Sequence, residues 1–77
     1  MSRQKEDPVF NQVEELRLER GLTRQQLAEK VGVHYQTIGY LERGEYSPSL
    51  ILAFKIAKAL DAEIPEVFSI KPFKKGT

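Results

Sequence analysis

Residues 27–44, read in one-letter code as LAEKVGVHYQTIGYLERG, hold the tightest constraint in this chain. A short helical pattern stops at Gly32, and a second begins almost at once. A glycine behind a helix adopts a positive φ with no Cβ penalty and turns the chain sharply. Two helices joined by so few residues must cross steeply and touch. The contact needs a small residue on the first helix, and Ala28 lies one turn before Gly32. It needs apolar anchors on the second, and Ile38 and Leu41 stand one turn apart, with Leu27, Val31 and Val33 completing the wedge. This spacing is that of a helix-turn-helix, although an αα-hairpin with no DNA role shares it.

The flanking sequence supplies further helices. From Val9 to Arg20 the spacing predicts a first helix, with Val13 and Leu16 on one face, Glu14, Glu15, Arg17 and Glu19 around them, and Gly21 as its stop. Thr23 and Gln26 match a capping box, so the second helix runs over Arg24–Val31. The third runs from Tyr35 to Arg43, before Gly44. Ser47-Pro48-Ser49-Leu50 places a capping serine beside a proline tolerated in a first turn. A fourth helix follows to Leu60, with Leu50, Ala53, Ile56, Ala57 and Leu60 on its core face. A short fifth opens at Pro65 and takes in Val67 and Phe68. Alternation over Phe68–Lys71 then suggests an extended segment stopped by Pro72. The expected fold is all-α, five helices, with room for a short C-terminal β segment. Residues 1–8 read as a mobile arm, 9–68 as the domain and 69–77 as a tail.

The other face of the third helix carries the functional signal. Gln36, Gly39, Tyr40 and Arg43 form one outward stripe, with His34 and Tyr35 at its N-terminal end. Polar and aromatic groups there are where a recognition helix meets base edges in a major groove. Glutamine can pair with adenine N6 and N7. Gly39 costs the helix about 0.5–1 kcal/mol relative to alanine, which points to close approach by a thymine methyl or backbone.

The segment LRLERGLTRQQLAEKVGVHYQTIGYLERGEYSPSLILAFKIAKAL, residues 16–60, resembles the helix-turn-helix domain of the Xre class, which includes phage Cro and the lambdoid repressors. Its continuation and short tail are similar to small stand-alone bacterial repressors of the cytolysin-repressor type. The resemblance implies a five-helix lambda-repressor-like domain whose dimer binds a two-fold operator in double-stranded DNA. It places Tyr35, Gln36, Gly39 and Tyr40 at base-facing positions, and Arg24, His34, Arg43 and Tyr46 at phosphate-contacting ones. Arg17 and Glu42 match a structural ion pair between helices one and three. Two positions depart from the pattern. Many relatives carry serine or threonine where His34 stands, and histidine is a poor cap. Many carry glutamine where Arg24 stands, and arginine favours phosphate or guanine.

Composition narrows the class. Twelve basic and eleven acidic residues leave a net charge of +1, so any DNA binding rests on local arrangement rather than bulk charge. There is no cysteine, one histidine and no nucleophile–base pair or glycine-rich phosphate loop, so neither an enzyme, a metal site nor a cofactor is expected. No apolar run reaches the roughly 20 residues that span a bilayer, and no secretory leader is visible, so a cytoplasmic protein without membrane association is expected. Nothing suggests a small-molecule ligand domain.

Helix four carries more apolar groups than one face can bury. Ile51 and Phe54, with Leu52 also off the core face, join Phe68, Ile70 and Phe73 as an apolar excess, best explained by a homodimer interface. The tail strands either pair across that interface, fold back as a hairpin, or only seal their own core. Lys71, Lys74 and Lys75 either reach DNA or keep the tail soluble. The favoured reading is a dimeric repressor that occludes a promoter. The alternative is a protein-interaction module such as an antitoxin or a transcription bridging factor.

Overall fold

A short antiparallel ribbon closes a helical bundle. The computed structural model describes residues 9–74. In chain order the elements are β1 (Phe10–Asn11), α1 (Val13–Glu19), α2 (Arg24–Val31), α3 (Tyr35–Glu42), α4 (Leu50–Ala59), α5 (Ile64–Val67) and β2 (Phe68–Ser69). Phe10 pairs with Ser69 and Asn11 with Phe68. α2 packs against both α3 and α4.

The core is a single cluster to which every helix contributes. Val13, Leu27, Ile38, Leu41, Ile56, Leu60 and Val67 are fully buried within it. The wedge expected from the sequence forms: Ala28, Leu27 and Val31 of α2 meet Ile38 and Leu41 of α3, with Val33 packed at the edge.

Four expectations need correction. The first helix does not begin at Val9, because residues 10 and 11 form β1 instead. Asn11 explains the delay: its side-chain oxygen accepts from the Val13 amide at 3.0 Å, while its amide donates to the Leu41 carbonyl at 3.0 Å. The tail strand accordingly folds onto its own chain, against β1. The core face of α4 is also rotated: Leu50 is 71% exposed and Leu52 only 7% exposed. Ser49, not Ser47, caps α4 through the Leu52 amide at 3.1 Å, with Pro48 just outside the cap. With the helix starting at Leu50, its buried positions fall at Leu52, Ala53, Ile56 and Ala57. Lastly, α5 ends at Val67 and Phe68 is extended. The expected arm at residues 1–8, and Lys75, lie outside the described residues.

Candidate nucleic-acid interface

Backbone geometry at both ends of the turn fixes how α3 is presented. Thr23 Oγ1 accepts from the Gln26 amide at 3.0 Å, and Gln26 Oε1 accepts from the Thr23 amide at 2.8 Å. At the far end of α2, Gly32 takes φ 79°, and its amide and that of Val33 both donate to the Ala28 carbonyl. A β-carbon there would be strained by the left-handed backbone. α3 then begins at Tyr35, and His34 ahead of it does cap the helix, contrary to the expectation from its residue type. Its Nδ1 accepts from the Gln36 amide at 3.1 Å, which requires the neutral ring protonated on Nε2. The ring lies 4.7 Å, centroid to centroid, from that of Tyr35.

The outward face of α3 carries exposed Tyr35, Gln36 and Tyr40. With Arg24, Gly39 and Arg43 they line one shallow cleft. Gly39 itself is buried, which the sequence did not indicate. A β-carbon at Gly39 would lie 3.4 Å from Arg43 Nη1 and 3.9 Å from Arg24 Nη1, so two guanidinium groups roof the gap. Arg43 also stacks over the Tyr40 ring at 5.1 Å and pairs with Glu45 at 3.3 Å. Tyr46 is exposed beside a hollow that it shares with Arg43, at the end of the stripe, and with Val9, Phe10, Pro48 and Phe68.

Glu42, at the end of α3, organises three helices. Its Oε2 accepts from Arg17 Nε at 2.7 Å, and its Oε1 accepts from Arg24 Nε at 2.9 Å and Arg17 Nη2 at 3.3 Å. Arg17 donates its remaining terminal nitrogen to the Leu22 carbonyl at 2.9 Å. The Arg17–Glu42 pair is buried, as the resemblance implied; the bond from Arg24 is an addition. Glu42 raises the pKa of Arg24, first by the hydrogen bond and then by its charge.

Two further positioning residues, Asn11 and Arg20, carry little signal in the sequence. Asn11 bridges β1, α1 and the end of α3 as described above; an asparagine two residues ahead of a buried valine was its only local signal. Arg20 donates Nε to the Leu60 carbonyl at 2.6 Å and so ties the end of α1 to that of α4. Of the residues expected at a dimer interface, Ile51, Phe54 and Ile70 are more than half exposed, and Leu50 joins them. Phe68 and Phe73 are half-buried, and Phe68 packs on the chain's own core. Among the described residues, no three histidine, aspartate or glutamate side chains assemble where they could hold a metal, and no helix is long and apolar enough to cross a membrane.

A bundle with α3 laid across α2 and its far side open is the architecture of helix-turn-helix DNA-binding regulators. The helix-turn-helix family model matches residues 13–67, and the chain belongs to this Xre-like family. It is 58% identical over 57 residues to an HTH-type transcriptional regulator of Methanothermobacter thermautotrophicus, covering 73% of this chain and 83% of the relative. It is 47% identical over 58 residues to the HTH-type transcriptional regulator YgzD of Bacillus subtilis, covering 75% and 88%. Among solved structures it is similar to the restriction-modification controller protein C.AhdI of Aeromonas hydrophila, with 39% identity, a TM-score of 0.67, and coverage of 70% of this chain and 82% of the other. The family is one of DNA-binding regulators, not of enzymes.

Proposed function

We propose that this protein is a sequence-specific regulator that binds a two-fold operator in double-stranded DNA as a homodimer, and represses by occluding a promoter. The observation that carries the reading is the division of α3. Ile38 and Leu41 are sealed against α2, while Tyr35, Gln36 and Tyr40 stand in solvent on the opposite side. A helix held so firmly on one side, and so polar and aromatic on the other, suits insertion into a major groove. In this reading Gln36 and the two tyrosines face base edges, His34 presents Nε2–H to a phosphate at the groove edge, Arg24 and Arg43 supply donors at the rim, and Tyr46 meets the backbone beyond.

The apolar excess supports the dimer. Leu50, Ile51 and Phe54 on α4, and Ile70 just after β2, expose large side chains, and a two-fold partner would remove them from water. Two recognition helices would then enter successive grooves about 34 Å apart.

The test is selection of bound fragments from random duplex DNA, run with the native protein, Gln36→Ala and Phe54→Asp. The native protein should enrich an inverted repeat with centres about one helical turn apart. Gln36→Ala should alter preference at one position of each half-site, and Phe54→Asp should lose the two-fold repeat. No enrichment from folded protein at low salt would sink the reading and leave a protein-interaction module.

A further inference from the structure

The gap at Gly39 has no conformational cause. Gly21, Gly32 and Gly44 all have positive φ, whereas Gly39 is ordinary α-helix, where glycine is unfavourable relative to alanine. What the missing side chain provides is space, and the guanidinium groups of Arg24 and Arg43 border it at van der Waals distance from where a β-carbon would lie. Each of the two is held at Nε by a carboxylate, Arg24 by Glu42 and Arg43 by Glu45. Among the described residues, the terminal nitrogens of neither arginine donate a hydrogen bond. Two cations therefore converge on one exposed cleft, Arg24 oriented by its hydrogen bond to buried Glu42 and Arg43 by its ion pair with Glu45 and its stacking on Tyr40, with their terminal donors unspent.

We propose that Arg24 and Arg43 form a paired guanidinium slot over Gly39 that reads the acceptor edge of a guanine, with Glu42 as the positioning residue. The inference rests on the DNA-binding reading above and moves both arginines from backbone contact to base recognition. Guanine presents two acceptors, N7 and O6, to the major groove, matching the two donors of one guanidinium end. A phosphate offers acceptors too, but the carboxylates decide between them. Glu42 and Glu45 offset much of the positive charge that would draw an anion, yet leave the direction of the free N–H groups intact. A planar fork matches the two acceptors of a guanine edge as well as those of a phosphate, and the nearby carboxylates offset the charge that would otherwise favour the phosphate. The cleft also lies on the same stripe as Gln36 and Tyr40, the side that faces bases rather than strands.

The experiment uses the duplex selected by the native protein. Each guanine is replaced in turn by 7-deazaguanine, which lacks the N7 acceptor, and each flanking phosphate by a methylphosphonate. Binding is measured for the native protein, Arg24→Gln and Gly39→Ala. One guanine per half-site should weaken native binding about tenfold when N7 is removed, and Arg24→Gln should not respond to that replacement. Gly39→Ala, which should fold at least as well as the native protein, should lose part of the same guanine preference. If Arg24→Gln instead abolishes sensitivity to a methylphosphonate while keeping sensitivity to every 7-deazaguanine, the arginine contacts backbone and the slot is overturned. An operator lacking any guanine under α3 also overturns it while leaving the DNA-binding reading intact. Failure to select any operator removes both.

Discussion

The two ends of this small molecule solve the problem of burial in opposite ways. Where α1, α2 and α3 meet, a charged group is sealed inside: the Glu42 side chain is 1% exposed and holds two arginines from two other helices. Along α4 and the ribbon, Leu50, Ile51, Phe54 and Ile70 are left in solvent. Hydrophobic area is abundant at the second end, so scarcity of apolar side chains does not explain the buried charge at the first. Directionality does. Apolar packing tolerates small rotations, whereas a carboxylate shared by three donors fixes the azimuth of α3 against α1 and α2. The α1–α3 junction is therefore built for angle, and the exposed side of α4 for area.

The largest expected effect breaks the first of these. Glu42→Gln keeps the shape of the side chain but strips the countercharge from buried Arg17, and should cost about 3–5 kcal/mol in urea unfolding at unchanged m-value. That is a large fraction of the roughly 5–15 kcal/mol expected for a domain of any size. If the network serves angle rather than stability, Arg17→Met combined with Glu42→Met should be much less destabilised than the sum of the two single changes, while DNA binding is not restored. A loss below about 0.5 kcal/mol for Glu42→Gln would remove the contrast between the two ends.

The next effect sharpens the contrast inside a single helix. Leu52→Ala should cost about 2–5 kcal/mol, because it opens a cavity beside Ile56 and Leu60. Leu50→Ala, two residues earlier, should stay within about 0.5 kcal/mol in the isolated chain. Any larger effect of Leu50→Ala that grows with protein concentration would identify a partner covering that end, and sedimentation of the same samples would reveal whether the partner is a second copy.

These two leucines also mark the limit of the sequence. Five consecutive residues, Leu50-Ile51-Leu52-Ala53-Phe54, are all apolar, so periodicity alone does not orient the helix; the choice is made by Ser49 starting it one turn from Leu52. β1 was invisible for a different reason. Its two residues gain their pairing from Phe68 and Ser69 at the other end of the chain, and a contact that remote leaves no local pattern. What the sequence did show was governed by neighbours: the Thr23–Gln26 box, the turn at Gly32 and the apolar wedge of Ile38 and Leu41. Within the candidate site, the outward positions of Tyr35, Gln36 and Tyr40 followed from helical spacing. The bond from Arg24 to Glu42 and the covering of Gly39 did not, because both depend on long side chains crossing between helices.

His34 gives the smallest effect and the one that best separates folding from recognition. As a cap it satisfies one backbone amide of α3, and α3 has no acidic residue in its first turn to help it. His34→Ala should therefore lower stability by about 1 kcal/mol. His34→Asp should do the reverse, because aspartate is a stronger cap and its charge suits the positive end of the helix by a further few tenths to about 1 kcal/mol. If the start of α3 points at phosphates, that same charge must weaken DNA binding, most strongly at low salt where repulsion is least screened. The expected signature is a higher melting temperature together with a lower affinity, the loss shrinking as salt is raised. Tighter folding with unchanged affinity would mean that the N-terminus of α3 does not approach the DNA backbone. Opposite signs would explain what a neutral histidine does in a place where an acid folds better: it caps the helix without closing the groove to it.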